Sequence, residues 1–179
     1  IAMYGAKKRL SVALLYDPAL DSSSAQTLSL LGDLRRAVEH GELRLYLQPK
    51  VALQAGVGAA AEALLRWQHP QRGLVPPMEF IPFAEQTGFV RQLTLWVFEQ
   101  VAVLLAQSGA RDIALRVSVN LSTRDLLDPD LSLRLGALLE RYAVRPESTR
   151  LETTEGPIMD DGQRAEAMLN RLAQQGFKL

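Results

Sequence analysis

The sequence predicts an α/β fold in which mostly parallel strands alternate with helices, with one strand running antiparallel. Three observations lead there. Short segments of period-two apolar patterning alternate with longer segments of helical periodicity. Four of the strand segments have a second, polar face. A turn punctuated by Gly56 and Gly58 joins two of them as a hairpin, so one of that pair must be antiparallel.

The elements follow in order. Residues Ile1 to Lys8 have helical propensity, Ser11 to Tyr16 read as a short strand, and Asp17 to Ser24, with Pro18 and three serines, reads as a linker. The start has neither a helix cap nor an initiator methionine, which suggests the boundary of a longer chain. From Ala25 to Glu42, Leu28, Leu31, Leu34 and Val38 recur at helical spacing and Gly41 closes the helix. Leu43 to Gln48 is a strand ended by Pro49, with Arg44, Tyr46 and Gln48 on one face. Ala61 to Trp67 is the next, bounded by a loop over His69 to Gly73. Ala63, Leu65 and Trp67 share one of its faces; Glu62, Leu64 and Arg66 share the other. Pro76 and Pro77 open a short helix that ends near Gly88. A longer helix, Phe89 to Ser108, carries Leu93, Trp96, Val97, Val101 and Leu104 on its buried stripe.

Ile113 to Ser122 repeats the two-faced strand pattern, with Arg116, Ser118 and Asn120 on the polar face. Leu126 to Tyr142 reads as a helix interrupted by Pro129, and Thr149 to Glu155 as a strand with Arg150, Glu152 and Thr154 on one face. Asp160 and Asp161 are read as caps of a helix that runs to Gln175 and ends at Gly176. Phe177 to Leu179 looks like the start of another strand. In a closed β/α barrel the apolar strand faces meet the helices and the polar faces point inward. Gln48, Glu62, Arg66, Asn120 and Glu152 would then converge. The alternative is a two-layer α+β sheet whose polar face meets solvent.

Composition removes several function classes. Twenty basic residues balance twenty acidic ones among 179, so no basic excess points to a nucleic-acid polymer. The absence of cysteine excludes disulfides, zinc thiolate sites and cysteine nucleophiles. No apolar run is long enough to span a bilayer and no signal-peptide pattern opens the chain, so a cytoplasmic chain, or the cytoplasmic part of a larger sensor, is expected. His40 and His69, expected at a helix end and in a loop, receive no chemical role.

Glu62-Ala63-Leu64-Leu65-Arg66-Trp67 stands among four further blocks: Tyr46-Leu47-Gln48-Pro49, Pro77 to Glu85 with Phe80-Ile81-Pro82, Ser118-Val119-Asn120-Leu121-Ser122, and Leu151-Glu152-Thr153-Thr154-Glu155. In this order and spacing they resemble the EAL domain, a bacterial module that hydrolyses cyclic di-GMP. The likeness runs from about Ala25 to Leu179 and implies a partial TIM-like β/α barrel of EAL type, cut after about half of its strands. Ala2-Met3-Tyr4-Gly5-Ala6-Lys7, followed by the short strand, makes residues 1–17 similar to the tail of a GGDEF (diguanylate cyclase) domain and 18–24 to the linker that follows it.

By that resemblance Glu62, Asn120 and Glu152 bind divalent metal, Glu62 is catalytic, and Glu155 steadies an active-site loop. Gln48, Leu64 and Arg66 match positions that contact the dinucleotide. Carboxylate and amide oxygens suit Mg²⁺ or Mn²⁺, and two such ions are expected in a complete domain. The reaction implied is hydrolysis of cyclic di-GMP to linear pGpG by metal-activated water. The family's Asp-Asp-Phe-Gly-Thr-Gly segment, and a later Lys, Glu and Gln, do not occur before Leu179. Turnover by the isolated chain is therefore not expected. A cyclic di-GMP receptor without turnover is the alternative, and a fragment that only mediates association is a third. Unpaired half-barrel edges lead to the expectation of a homodimer or another associated partner, with no membrane contact from this segment.

Overall fold

A computed structural model of the chain describes residue 30 and residues 32–51, 59–153 and 161–179. The expected GGDEF-like tail and linker, the Gly56–Gly58 turn, Glu155 and Asp160 lie outside the described residues. Helix α1 (32–39) buries Leu34 and Ala37. It stops at Gly41, whose φ of 64° is the left-handed conformation that a residue without Cβ adopts at little cost. There follow β1 (Leu43–Lys50), β2 (Ala59–His69), β3 (Gly73–Val75), α2 (Pro77–Thr87) and α3 (Val90–Gly109). Next come β4 (Leu115–Leu121), α4 (Thr123–Leu126), α5 (Leu131–Arg141), a 3-10 turn (Pro146–Ser148), β5 (Thr149–Thr153) and α6 (Gly162–Gln174).

The sheet runs β1-β2-β4-β5, with β3 paired to β2. The expected mixture of directions is present. β1 lies antiparallel to β2, while β2–β4 and β4–β5 are parallel and joined by helical crossovers. Beyond α6, Lys178 bridges Arg150 in parallel, and Leu151 N–H donates to the Lys178 carbonyl at 2.7 Å. Phe177–Leu179 thus begins the rung expected of it.

Helices cover the apolar strand face. Val117, Val119, Leu121 and Leu151 pack with Phe98 and Val101 of α3, Leu135 and Leu139 of α5, and Met168 and Leu172 of α6. Each such side chain contributes about 1.5–3 kcal/mol by leaving water. A second cluster centres on the fully buried Trp67 and draws in Leu34, Leu43, Val75, Phe80 and Leu93. The Trp67 and Phe80 rings meet edge-on, with centroids 5.6 Å apart. Leu65 and Trp96 touch both clusters, so the two form one continuous support beneath the sheet.

Several elements differ from the sequence reading. β1 continues through Pro49 to Lys50. Pro49 is tolerated because β1 is an edge strand among the described residues, where a missing amide need not break a ladder. The segment after Trp67 is a hairpin and not a loop: His69 ends β2, is buried, and pairs in register with Gly73 of β3. The His69 ring accepts from the Gln71 and Arg72 amides through Nδ1, at 3.1 and 3.3 Å, and so closes that turn. Of the helix expected over 126–142, Leu131–Arg141 forms as α5, and the expected break at Pro129 extends over Leu127–Asp130, beyond the short α4 that ends at Leu126. Within α3, Trp96 and Leu104 are only partly buried, and Phe98, Ala102 and Leu105 take the interior instead. At α6 the Asp161 side chain makes no cap hydrogen bond; it pairs with Arg164 at 3.0 Å.

Candidate functional site

Strand parity and register build the site. Gln48 lies opposite Glu62, Glu62 beside Ser118, and Asn120 beside Glu152. Each belongs to the strand face opposite the helix-packed residues, so one polar surface crosses all four strands. Asn120 donates through Nδ2 to Glu62 Oε1 at 2.9 Å. Sequence-predicted Glu62, Asn120 and Glu152 are therefore brought to one patch, and Gln48 lies on the same row, exposed.

Lys50 joins the two carboxylates. Its ammonium donates to Glu152 Oε1 at 2.5 Å and to Ser118 Oγ at 2.9 Å, and lies 3.9 Å from Glu62 Oε2. Burial alone would raise the Glu152 carboxyl. Hydrogen bonds from Lys50 and Ser118, with the charges of Lys50 and Arg150, outweigh it and hold the carboxyl below its ordinary range. Glu152 therefore stands ionised.

Asn120 is fixed from behind. Its strand ends at Leu121, and Ser122 opens α4 with a reciprocal capping box to Asp125. Asp125 Oδ2 accepts from the Ser122 amide at 2.8 Å, the Ser122 hydroxyl at 2.7 Å and the Thr94 hydroxyl at 3.0 Å. Desolvation raises the carboxyl of this wholly buried residue, against the lowering effect of those bonds and of Arg91. Its second oxygen, Oδ1, is buried without a partner.

Beside the patch lies a cavity of about 390 Å³, lined by Leu64, Arg66 and Asn120 and, across from them, by Pro77, Ile81 and Glu85 of α2. Its walls are mixed, with apolar side chains and a few convergent polar groups, as in small-molecule sites. The Arg66 guanidinium sits 5.7 Å from the centre of the Tyr46 ring and donates to the Leu65 carbonyl at 2.9 Å. Leu64 and Arg66 thus border the cavity, with Asn120 shared between cavity and carboxylates.

The sequence reading left out Lys50, Ser118 and Asp125 as functional residues. Parity places Ser118 on the polar face, and Ser-x-x-Asp over 122–125 is a capping spacing that marks Asp125. Among the described residues no three His, Cys, Asp or Glu side chains gather as a metal set. The donors present are two carboxylates and an amide oxygen, part of the six or so oxygens that a hard dication takes. They fit such an ion, with water or further groups completing the shell.

Parallel strands, helices on one face and an acid–amide patch on the other define an α/β protein of the barrel type. The chain belongs to the EAL domain family, whose profile matches residues 31–179. That match leaves the segment read as a GGDEF tail outside it. The chain is 36% identical over 163 residues to the cyclic di-GMP phosphodiesterase PA2567 of Pseudomonas aeruginosa, covering 90% of this chain and 28% of that protein. It is 32% identical over 179 residues to the cyclic di-GMP phosphodiesterase PdeR of Escherichia coli, covering 99% and 27%. Among solved structures, the PaMucR phosphodiesterase in complex with c-di-GMP superposes with a TM-score of 0.75 at 35% identity, over 83% of this chain and 61% of that one. The FimX EAL domain of Pseudomonas aeruginosa bound to c-di-GMP gives 0.72 at 30%, over 80% and 57%. The chain thus spans little more than a quarter of the length of these two curated relatives.

Proposed function

We propose that this chain supplies the metal-binding and phosphate-binding part of a cyclic di-GMP phosphodiesterase. The observation that carries the reading is the patch itself: Glu62, Asn120 and Glu152 on one strand face, with Asn120 hydrogen-bonded to Glu62 at 2.9 Å, beside a cavity bordered by Arg66. Glu62 and Glu152 bring two negative charges, and Asn120 a neutral amide whose oxygen is free to ligate while Nδ2 orients Glu62. Arg66 offers a planar, permanently charged guanidinium to a phosphodiester oxygen. Leu64, with Pro77 and Ile81 across the cavity, gives an apolar surface for a base, and Gln48 extends the donor row from β1. Asp125 holds the turn after Asn120, so that the amide keeps its place. A divalent cation, when bound, would neutralise charge developing on the phosphodiester and lower the pKa of the attacking water.

The test is hydrolysis by a chimera in which residues 31–179 replace the matching segment of the PA2567 phosphodiesterase. Formation of the linear dinucleotide is expected, abolished by Glu62→Gln and weakened chiefly in KM by Arg66→Ala. A folded chimera that binds cyclic di-GMP and forms no product would overturn the enzyme reading in favour of a receptor.

A further inference from the structure

We infer that Lys50 is an internal counter-cation of the Glu62–Glu152 pair, which a divalent ion must displace, so that this lysine sets the metal affinity of the site. The inference rests on the reading of Glu62, Asn120 and Glu152 as metal-binding residues. The Lys50 ammonium contacts Glu152 and Ser118 and approaches Glu62 to 3.9 Å, which places it between the same two carboxylates. Mg²⁺ or Mn²⁺ ligated by those oxygens would sit about 2.0–2.2 Å from them. An ammonium and a dication cannot share that volume, because like charges within about 4 Å repel strongly even near a surface.

The placement has a sequence cause. β1 runs on past Pro49, and its alternation sets Lys50 on the face that also carries Gln48. Lys50 pairs in register with Ala60, whose methyl leaves room for the lysine stem to lie across the strand toward Glu152. Its side chain is 37% exposed, so a flexible four-carbon stem has solvent to retreat into. Until an ion arrives, the ammonium offsets repulsion between the carboxylates and keeps them facing one another. It therefore orders the site and competes for it at once. Arg150 adds positive charge near Glu152 but belongs to the next register row, beside Ser118.

The experiment is a calorimetric titration of the 179-residue chain with Mn²⁺ alone, alongside Lys50→Met and Lys50→Arg, with circular dichroism to verify that each is folded. Lys50→Met removes the charge and keeps the stem; Mn²⁺ binding is expected to tighten by about tenfold or more, the scale of removing one adjacent like charge. Lys50→Arg keeps the charge and is expected to hold the original affinity. Mn²⁺ binding that is unchanged or weaker in Lys50→Met, or equally tightened in Lys50→Arg, overturns the role of Lys50 and leaves the metal site standing. No Mn²⁺ binding by any of the three proteins overturns the metal-site reading, and the role of Lys50 falls with it.

Discussion

Asp125 fixes the turn after Asn120 as a buried carboxylate whose one oxygen takes three hydrogen bonds. Truncation to alanine would leave the Ser122 amide and two hydroxyls unpaired, at a cost of about 1–3 kcal/mol. The pH dependence has a definite sign. The carboxyl is raised above its ordinary value chiefly by desolvation, so the folded state binds its proton more readily than the unfolded chain does. That contribution is present in full at pH values below the ordinary carboxylate value. It is lost as pH rises from there through the raised folded value. Asp125→Asn keeps an acceptor oxygen and removes the charge. The unfolding free energy of the variant minus that of the unaltered chain should therefore increase over the same rise in pH. Urea melts at a series of pH values measure it; a difference that stays flat contradicts a buried, raised carboxyl.

At the scale of elements, Trp67 ties β2 to its neighbours. Its indole N–H donates to Glu42 Oε2 at 3.0 Å, its ring packs on Phe80, and it is wholly buried. Trp67→Ala is expected to cost about 3–5 kcal/mol, whereas Trp67→Phe keeps most of the packing and forfeits about 1 kcal/mol with the hydrogen bond. Equal losses for the two, read from denaturant midpoints, would contradict the packing account. The strand pattern around Trp67 was legible because side-chain direction has period two and needs no tertiary information. Glu62, Ser118, Asn120 and Glu152 fell on one face for that reason alone. Lys50 was hidden by Pro49, which ends a central strand but not an edge strand, and the edge is a property of the whole sheet. β3 has only three residues, too few to show alternation, and the Pro70–Gly73 signal that reads as a loop is equally the signal of a tight hairpin. Asp161 shows the opposite failure: its local capping signal was sound, but a nearby guanidinium, Arg164, took the carboxylate.

At the scale of the whole molecule, among the described residues, Ala63, Val117, Val119, Leu121 and Leu151 pack against the helices on one side of the sheet, and the acid–amide patch lies on the other. A ligand that binds this folded surface and not the unfolded chain must stabilise the fold by mass action, by about 2.7 kcal/mol at a hundred times its Kd, and so raise the melting temperature. Cyclic di-GMP with Mg²⁺ is expected to do so for this chain, and Arg66→Ala to shrink the shift; an equal shift in the variant would remove Arg66 from the phosphate contact. The central claim is that Glu62, Asn120 and Glu152 together take a divalent cation. It is tested most directly by nuclear magnetic resonance of the chain with substoichiometric Mn²⁺, whose paramagnetism broadens nearby resonances even when binding is weak. The account predicts that the Asn120 side-chain amide and the backbone amides of Glu62 and Glu152 broaden first and together. Broadening that begins elsewhere, for example at Asp128 and Asp130, while those three stay sharp would contradict it.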